Sequence, residues 1–315
     1  MIQTEGLTKR FNDFTAVNNL SIHVDEGEIY GFLGPNGAGK TTTIMMLLGM
    51  ERPTAGRIRL FGTDLAQDYF AIKRRVGVLS EFHYLYEDMT AKEYLQFFAK
   101  LYEVEQPARK IDEVLHRVAL YNRRNELLGG YSKGMKQKLS MARALVHDPD
   151  ILFLDEPQSS LDPYGIREVR DIIMEENAKG KTLFISSHIL SEIERTCHRV
   201  GIIHSGKLLA EDSMEHLKEQ VTEEIEIIVE LEDVSSAVVS GIEELDFVKQ
   251  VDSSSSGLRI KADVGEDHRA QISKTIAETG GVVLSMQTKE LSLEEAFVII
   301  TEQNLSLLTK EGQAS

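Results

Sequence analysis

The chain has 315 residues, 42% hydrophobic and 27% charged, the balance of a globular protein and not of a fibrous or disordered one. That length allows two domains, because a single core rarely grows past about 250 residues. A formal net charge of −16 argues against a nucleic-acid partner, since phosphate backbones attract an excess of lysine and arginine. The lone Cys197 cannot form an internal disulfide and reads as a small buried hydrophobe in a reducing, cytoplasmic setting. Met1-Ile-Gln-Thr-Glu5 lacks the basic start and apolar core of a secretory signal. No stretch approaches the roughly 20 apolar residues that span a bilayer. The expectation is a soluble chain whose membrane role, if any, comes through a partner.

The first strong element is the apolar run Glu28-Ile-Tyr-Gly-Phe-Leu33, predicted as a strand that stops on glycine. It leads into Gly34-Pro-Asn-Gly-Ala-Gly-Lys-Thr41 and then into a predicted helix over 42–50. Strand, glycine-rich loop and helix in that order form a phosphate cradle. The glycines let backbone N–H groups turn inward, and the helix adds the positive end of its dipole. Lys40 supplies a point charge to the β and γ phosphates, and the Thr41 hydroxyl is placed for Mg²⁺. Residues 90–101 and 108–118 read as amphipathic helices, with Tyr94, Phe97, Phe98 and Leu101 at helical spacing. They predict a helical insert beside the sheet, at about 85–147.

The fully apolar runs Ile151-Leu-Phe-Leu154 and Thr182-Leu-Phe-Ile185, separated by a helix over 164–178, predict buried parallel strands. The first ends on Asp155-Glu156, which delivers two acids to the carboxyl edge of the sheet, where ligands of parallel sheets gather. Asp155 suits a metal, and Glu156 suits the polarising of a water in line with the γ phosphate. The second runs through Ser186-Ser187 to His188, the histidine that the reading places at a strand end, in reach of a phosphate oxygen. Near Val221 the texture changes to Glu224-Ile-Glu-Ile-Ile-Val-Glu-Leu231, an alternation that suits an antiparallel strand with one wet face. Helices over 234–245 and 266–279 and strands near 247–251, 258–262 and 282–286 complete a ferredoxin-like βαββαβ unit, closed by a helix at 293–303. The fold class is α/β, a phosphate-loop domain at 1–215, followed by a small α+β domain at 222–303 and a tail at 304–315.

Taken in order, these residues resemble the ATPase of an ATP-binding cassette (ABC) transporter. Gly34 to Thr42 is similar to its Walker A motif, with Gly34, Asn36, Gly37, Ala38, Gly39, Lys40, Thr41 and Thr42 at the nucleotide. Tyr131 to Lys138 is similar to its signature, Leu152 to Pro157 to its Walker B motif, Ser159-Ser-Leu-Asp162 to its D-loop and His188 to its H-loop. The resemblance covers residues 1 to about 212. It implies ATP and Mg²⁺, with Lys40, Glu81, Glu156 and His188 catalytic and Thr41, Glu81 and Asp155 at the metal. It also implies a head-to-tail dimer, homomeric or with a close relative. In it Ser132, Gly134 and Asp162 of one subunit close the nucleotide held by the other, and Ser-x-Gly at the start of a helix over 135–146 has the physics of an anion-binding end. Phe11 stands where the family stacks an aromatic on adenine, with Phe14 as neighbouring candidate and Val17 close by.

Several positions depart from the family's commonest pattern. The signature reads Ser-Lys-Gly-Met, so Lys133 and Met135 bring a cation and a thioether into the capping element. Glu81 occupies the usual place of a glutamine, Gln158 that of a frequent threonine, and Ser160 that of glycine or alanine. These variants resemble the exporter branch, whose ATPases drive a separate membrane permease and carry such a C-terminal appendage. The aromatics Phe82, Tyr84 and Tyr86 after Glu81 suit the docking of a permease helix and equally suit packing in the core. The implied function is the ATP-hydrolysing subunit of an exporter at the cytoplasmic face of a membrane. Its rivals are a soluble ATPase of the same family working as a mechanical switch on nucleic acid or ribosomes, and a nucleotide-sensing regulator without transport.

Overall fold

The computed structural model describes the chain except residues 82–84, 222–223, 265–266, 290–291 and 313–315, and the side chains of 221 and of 303 onward also lie outside it. Two compact units result, Met1–Met214 with the segment from Asn304, and Glu215–Gln303. In the first, β1 (Ile2–Phe11), β2 (Phe14–Leu20) and β3 (His23–Val24) lead to β4 (Ile29–Leu33) and helix α1 (Lys40–Leu47). After these come β5 (Ala55–Leu60), β6 (Thr63–Asp64), α2 (Tyr69–Arg74) and β7 (Val76–Leu79). The insert carries α3 (Ala91–Leu101), α4 (Pro107–Arg117) and α5 (Lys133–Leu145). The chain then returns through β8 (Ile151–Asp155), α6 (Pro163–Ala178), β9 (Thr182–Ser187), α7 (Leu190–Thr196), β10 (Arg199–His204) and β11 (Lys207–Ser213).

The central sheet has the order β11-β10-β4-β9-β8-β7, parallel except for the antiparallel edge strand β11. Every residue of β4, β8 and β9 is buried, as continuous apolar runs between covered faces require. Phe184 sits at the centre of their packing, with ring centroids 5.5 Å from Tyr30, 5.4 Å from Phe32 and 5.7 Å from Phe153. A second, antiparallel sheet of order β2-β1-β5-β6 has no counterpart in the sequence reading. Its strands mix polar and apolar positions or last two residues, so no period stands out.

In the insert, Thr90 and Glu93 form a reciprocal capping box that starts α3. The buried stripe of that helix is Ala91, Tyr94, Leu95 and Ala99, whereas Phe97 and Leu101 face outward, against the sequence expectation that they share the face of Tyr94. Tyr94 and Leu95 are about one turn from Ala91 and Ala99, and this row, not Phe97 and Leu101, is the buried face of the helix.

The second unit is entered through α8 (Met214–Val221). It contains β12 (Glu224–Leu231), α9 (Ser236–Glu243), β13 (Val248–Ser254), β14 (Gly257–Asp263), α10 (Arg269–Glu278) and β15 (Val283–Lys289), and α11 (Leu293–Gly312) follows. Its sheet has the order β13-β14-β12-β15 with every neighbour antiparallel, the split βαβ arrangement of a ferredoxin-like unit. Ile227, Val229, Leu258, Ile260, Val238 and Ile272 form its core beneath α9 and α10. The opposite face carries cross-strand ion pairs, Arg259 to Glu226 at 3.2 Å and Lys289 to Glu226 at 3.4 Å.

Candidate functional site

Between β4 and α1 the backbone makes two left-handed turns, Gly37 at φ +79° and Gly39 at φ +108°. A Cβ on Gly39 would come within 2.5 Å of the Ala16 carbonyl oxygen, so this position has room only for glycine. Gly39 caps α1, and its carbonyl accepts from both the amide and the hydroxyl of Thr43 at 2.9 Å. Lys40 therefore opens the helix and turns its buried ammonium into the loop. Nζ donates to the Gly34 carbonyl at 2.7 Å and the Pro35 carbonyl at 3.4 Å, and lies 3.6 Å from Glu156 Oε1.

Sheet register brings the other groups to the same edge. Leu33 pairs with Ser187 and Asp155 with Ser186, so the ends of β4, β8 and β9 lie level. Burial pushes the Asp155 carboxyl above its ordinary range, opposed by hydrogen bonds from the Ser186 and Thr41 hydroxyls and by the charge of Lys40. Thr41 and Asp155 thus converge as oxygen donors, the chemistry that a hard divalent cation takes. Glu156 follows in the left-handed region at φ +51°, with its amide donating to the Ser186 carbonyl at 3.1 Å. That turn throws its side chain back over the phosphate loop, where Oε2 lies 2.8 Å from His188 Nδ1.

A cavity of about 400 Å³ joins these groups: Asn36, Gly37, Gly39, Lys40, Thr41 and Thr42 from the loop, with Glu81, Glu156 and His188 opposite. Asp155 lies buried beneath them, and Gly34, Ala38 and Val17 stand behind the loop and do not line the space. Ser132 and Gly134 line a different cavity of about 490 Å³, together with Lys133, Met135, Ser160 and Asp162. There the Ser132 hydroxyl caps α5 by accepting from the Met135 amide at 3.2 Å, and the Asp162 carboxylate caps α6 by accepting from the Gly165 amide at 2.8 Å. The structure therefore does not bring the two motif groups together within one chain.

Three sequence expectations need correction. Phe14, not Phe11, lines the first cavity, while the Lys9 ammonium lies 4.8 Å over the Phe11 ring and is held there by Glu51 at 3.2 Å and the Arg52 carbonyl at 2.8 Å. His188 is not alone in its strand-end context, for His204 closes β10 in the same sheet. The helix α5 starts at Lys133, two residues before the expected place, so Lys133 and Gly134 belong to its first turn. Phe82 and Tyr84 lie outside the described residues, and Tyr86 is half exposed, 6.3 Å from Phe97 edge to face. Gln158 is buried and donates to Glu192 at 3.3 Å, and Ser160 stands at φ +62°, a conformation that explains why glycine is common there.

Ser159, the first residue of the D-loop stretch, meets this machinery, and one further residue escaped the sequence reading. Ser159 lines the first cavity, and the fully buried Gln137 of α5 donates to the carbonyls of Glu156 at 3.1 Å and Pro157 at 2.8 Å. The signal for Gln137 was present: it shares the buried stripe of Met141, Ala144 and Leu145, where an amide is out of place.

The ABC transporter family model matches residues 17–159. The bacitracin transport ATP-binding protein BcrA of Bacillus licheniformis is 42% identical over 299 residues, covering 95% of this chain and 96% of that protein. The Nod factor export ATP-binding protein I of Burkholderia pseudomallei is 40% identical over 212 residues, 67% of this chain and 70% of that protein. Among solved structures, the ATP-binding subunit of an ABC transporter aligns with a TM-score of 0.66 at 30% identity, covering 70% of this chain and 92% of that one. A dimeric post-hydrolysis cassette bound to ADP and Pi shares the fold, with a TM-score of 0.63 at 22% identity over 68% of this chain and 99% of that one. With a phosphate loop, two carboxylates and a histidine at one sheet edge, and relatives matched along nearly its whole length, the chain belongs to the ABC transporter family as an ATP-binding, ATP-hydrolysing subunit.

Proposed function

We propose that two copies of this chain, or one copy with a close relative, close head to tail on two ATP molecules and reopen after hydrolysis, driving export through a separate membrane permease. One observation carries the dimer. Lys40 and Glu156 line one cavity and Ser132 and Gly134 another, so the capping groups of one subunit are free to meet the nucleotide of a second. The N-terminus of α5, opened by Ser132, supplies inward N–H groups and a positive dipole end for a γ phosphate. Lys133 in that turn adds a cation, so its departure from the commonest pattern strengthens the cap electrostatically.

Mg²⁺ fits the Thr41 hydroxyl and the Asp155 carboxylate, with Glu81 on the cavity wall; when bound it neutralises phosphate charge. Asp155, whose ionised form is disfavoured by burial, gains its compensation there. Glu156 takes the proton of the attacking water, and His188, 2.8 Å from that carboxylate, orients it and reaches the γ phosphate. The permease supplies the membrane, since no helix among the described residues is long and apolar enough to cross one. The 42% identity with a bacitracin transport protein along 96% of that protein's length makes bacitracin the first cargo to test.

The test joins chemistry and cargo. Cells that express the chain with its permease should tolerate more bacitracin, and Glu156→Gln should abolish this. In vitro the same substitution should slow ATP hydrolysis by about 100-fold or more and trap an ATP-bound dimer. Hydrolysis at the unaltered rate would remove Glu156 from the role of base. Failure of the chain to co-purify with a membrane protein would favour the switch reading instead.

A further inference from the structure

The helix that carries the capping serine is tied by a single amide to the backbone of Glu156. Gln137 lies five residues beyond Ser132 on α5, is fully buried, and spends both N–H bonds of its amide on consecutive carbonyls, those of Glu156 and Pro157. Its own oxygen is buried without a hydrogen-bond partner. A buried acceptor left unpaired costs stability and offsets part of what the two donated bonds contribute. What Gln137 contributes is therefore its grip on the two carbonyls.

That grip acts on a backbone that needs it. Glu156 is a non-glycine residue at φ +51°, a conformation that persists only where its surroundings impose it. Its amide is held by the Ser186 carbonyl at 3.1 Å, its carbonyl by Gln137 and by the Ser159 amide at 3.1 Å, and its carboxylate by His188 at 2.8 Å with the Lys40 ammonium 3.6 Å away. Of these holds, Gln137 alone comes from the helix whose first turn lines the capping cavity. We propose that Gln137 is a positioning residue that sets the place of the Glu156 carboxylate according to the position of α5, so that a subunit whose capping helix has engaged its partner's nucleotide readies its own base. Each subunit thereby hydrolyses its ATP only after it has closed the other's site, and hydrolysis becomes cooperative in ATP. This inference rests on Glu156 being the base.

Gln137→Met keeps the length of the side chain, removes the two donors and also removes the unpaired oxygen. In the full chain with its permease, the expected result is a thermal midpoint lowered only slightly, the lost donors being partly offset by removal of the unpaired oxygen, with KM for ATP within twofold, kcat lower by tenfold or more, and a Hill coefficient for ATP that falls towards one. A kcat within twofold of the unaltered value would overturn the proposal. So would a markedly lowered thermal midpoint with kcat and KM damaged together, which would assign Gln137 to packing. Glu156→Gln measured alongside separates the two readings: if it turns over normally, the assignment of the base fails, whereas an inactive Glu156→Gln beside a fully active Gln137→Met sinks only the positioning role.

Discussion

At the scale of single residues, chemistry at this edge depends on which side of a side chain is already occupied. Phe11 and Phe14 are paired across the β1–β2 turn, yet only Phe14 lines the nucleotide cavity, and one face of Phe11 already carries the Lys9 ammonium. Base stacking on an aromatic ring is worth about 1–3 kcal/mol. Phe14→Ala should therefore weaken ATP binding by about tenfold or more in a fluorescent-nucleotide titration, while Phe11→Ala leaves the affinity near that of the unaltered chain. Equal losses in the two variants would show that stacking is shared. The two histidines at strand ends divide in the same way. His188 meets Glu156, whereas His204 lies 3.1 Å from the hydroxyl of Ser205.

At the scale of elements, the helical insert is fastened to the sheet domain through ions and not through apolar packing alone. Arg117 at the end of α4 reaches Glu176 of α6 at 2.7 Å, and Lys179 and Lys181 reach the same carboxylate at 2.7 Å each. Burial alone would raise the Glu176 carboxyl, but the hydrogen bonds from Lys179 and Lys181 and the charges of Lys181 and Arg117 overcome it and hold it at about 2. A carboxylate whose folded value lies below its ordinary 4.5 stabilises the fold fully above pH 4.5, and that contribution is lost as pH falls towards 2. Glu176→Ala leaves a buried gap beside Arg117 and Lys181, which keep Glu175 and Asp148 as partners, and beside the half-exposed Lys179, and should cost about 1–3 kcal/mol at neutral pH, read by urea unfolding. Over the acid window the difference between the two proteins should shrink. A constant difference from pH 7 to pH 2 would mean that packing, not charge, is what the substitution removes.

At the scale of the whole molecule, the proposed composite site makes a prediction that no single subunit can satisfy. In a symmetric dimer each residue appears on both sides of the interface, so a chain lacking Lys40 and a chain lacking Ser132 can together build one intact site. Lys40→Met and Ser132→Arg should each abolish ATP-driven dimerisation alone, and mixing the two proteins should restore it through the one intact site, without hydrolysis, because the base of that site belongs to the chain whose capping helix is altered. A mixture that stays monomeric with ATP would place the complete site within one chain, and a mixture that hydrolyses ATP would show that one closed site is enough. The C-terminal unit stands outside this scheme: its open sheet face is laced with cross-strand ion pairs, and its core is closed by its own two helices.

By itself the sequence determined the strands that carry the site, because β4, β8 and β9 are continuous apolar runs whose composition permits only a covered position. It also determined the phosphate loop, whose glycines answer a local backbone need, and the βαββαβ order of the C-terminal unit, written in its alternation. Contacts between segments far apart in the chain required the tertiary structure. The antiparallel sheet is made of strands too short and mixed to show a period. That Phe14 and not Phe11 lines the cavity is set by the packing of the β1–β2 turn beside the phosphate loop, and the bond from Gln137 to Glu156 crosses 19 positions. The physical reason is common to these cases: periodicity and local conformation are properties of neighbours along the chain, whereas which face of a ring is free and which carbonyl an amide grips are decided only when distant segments pack.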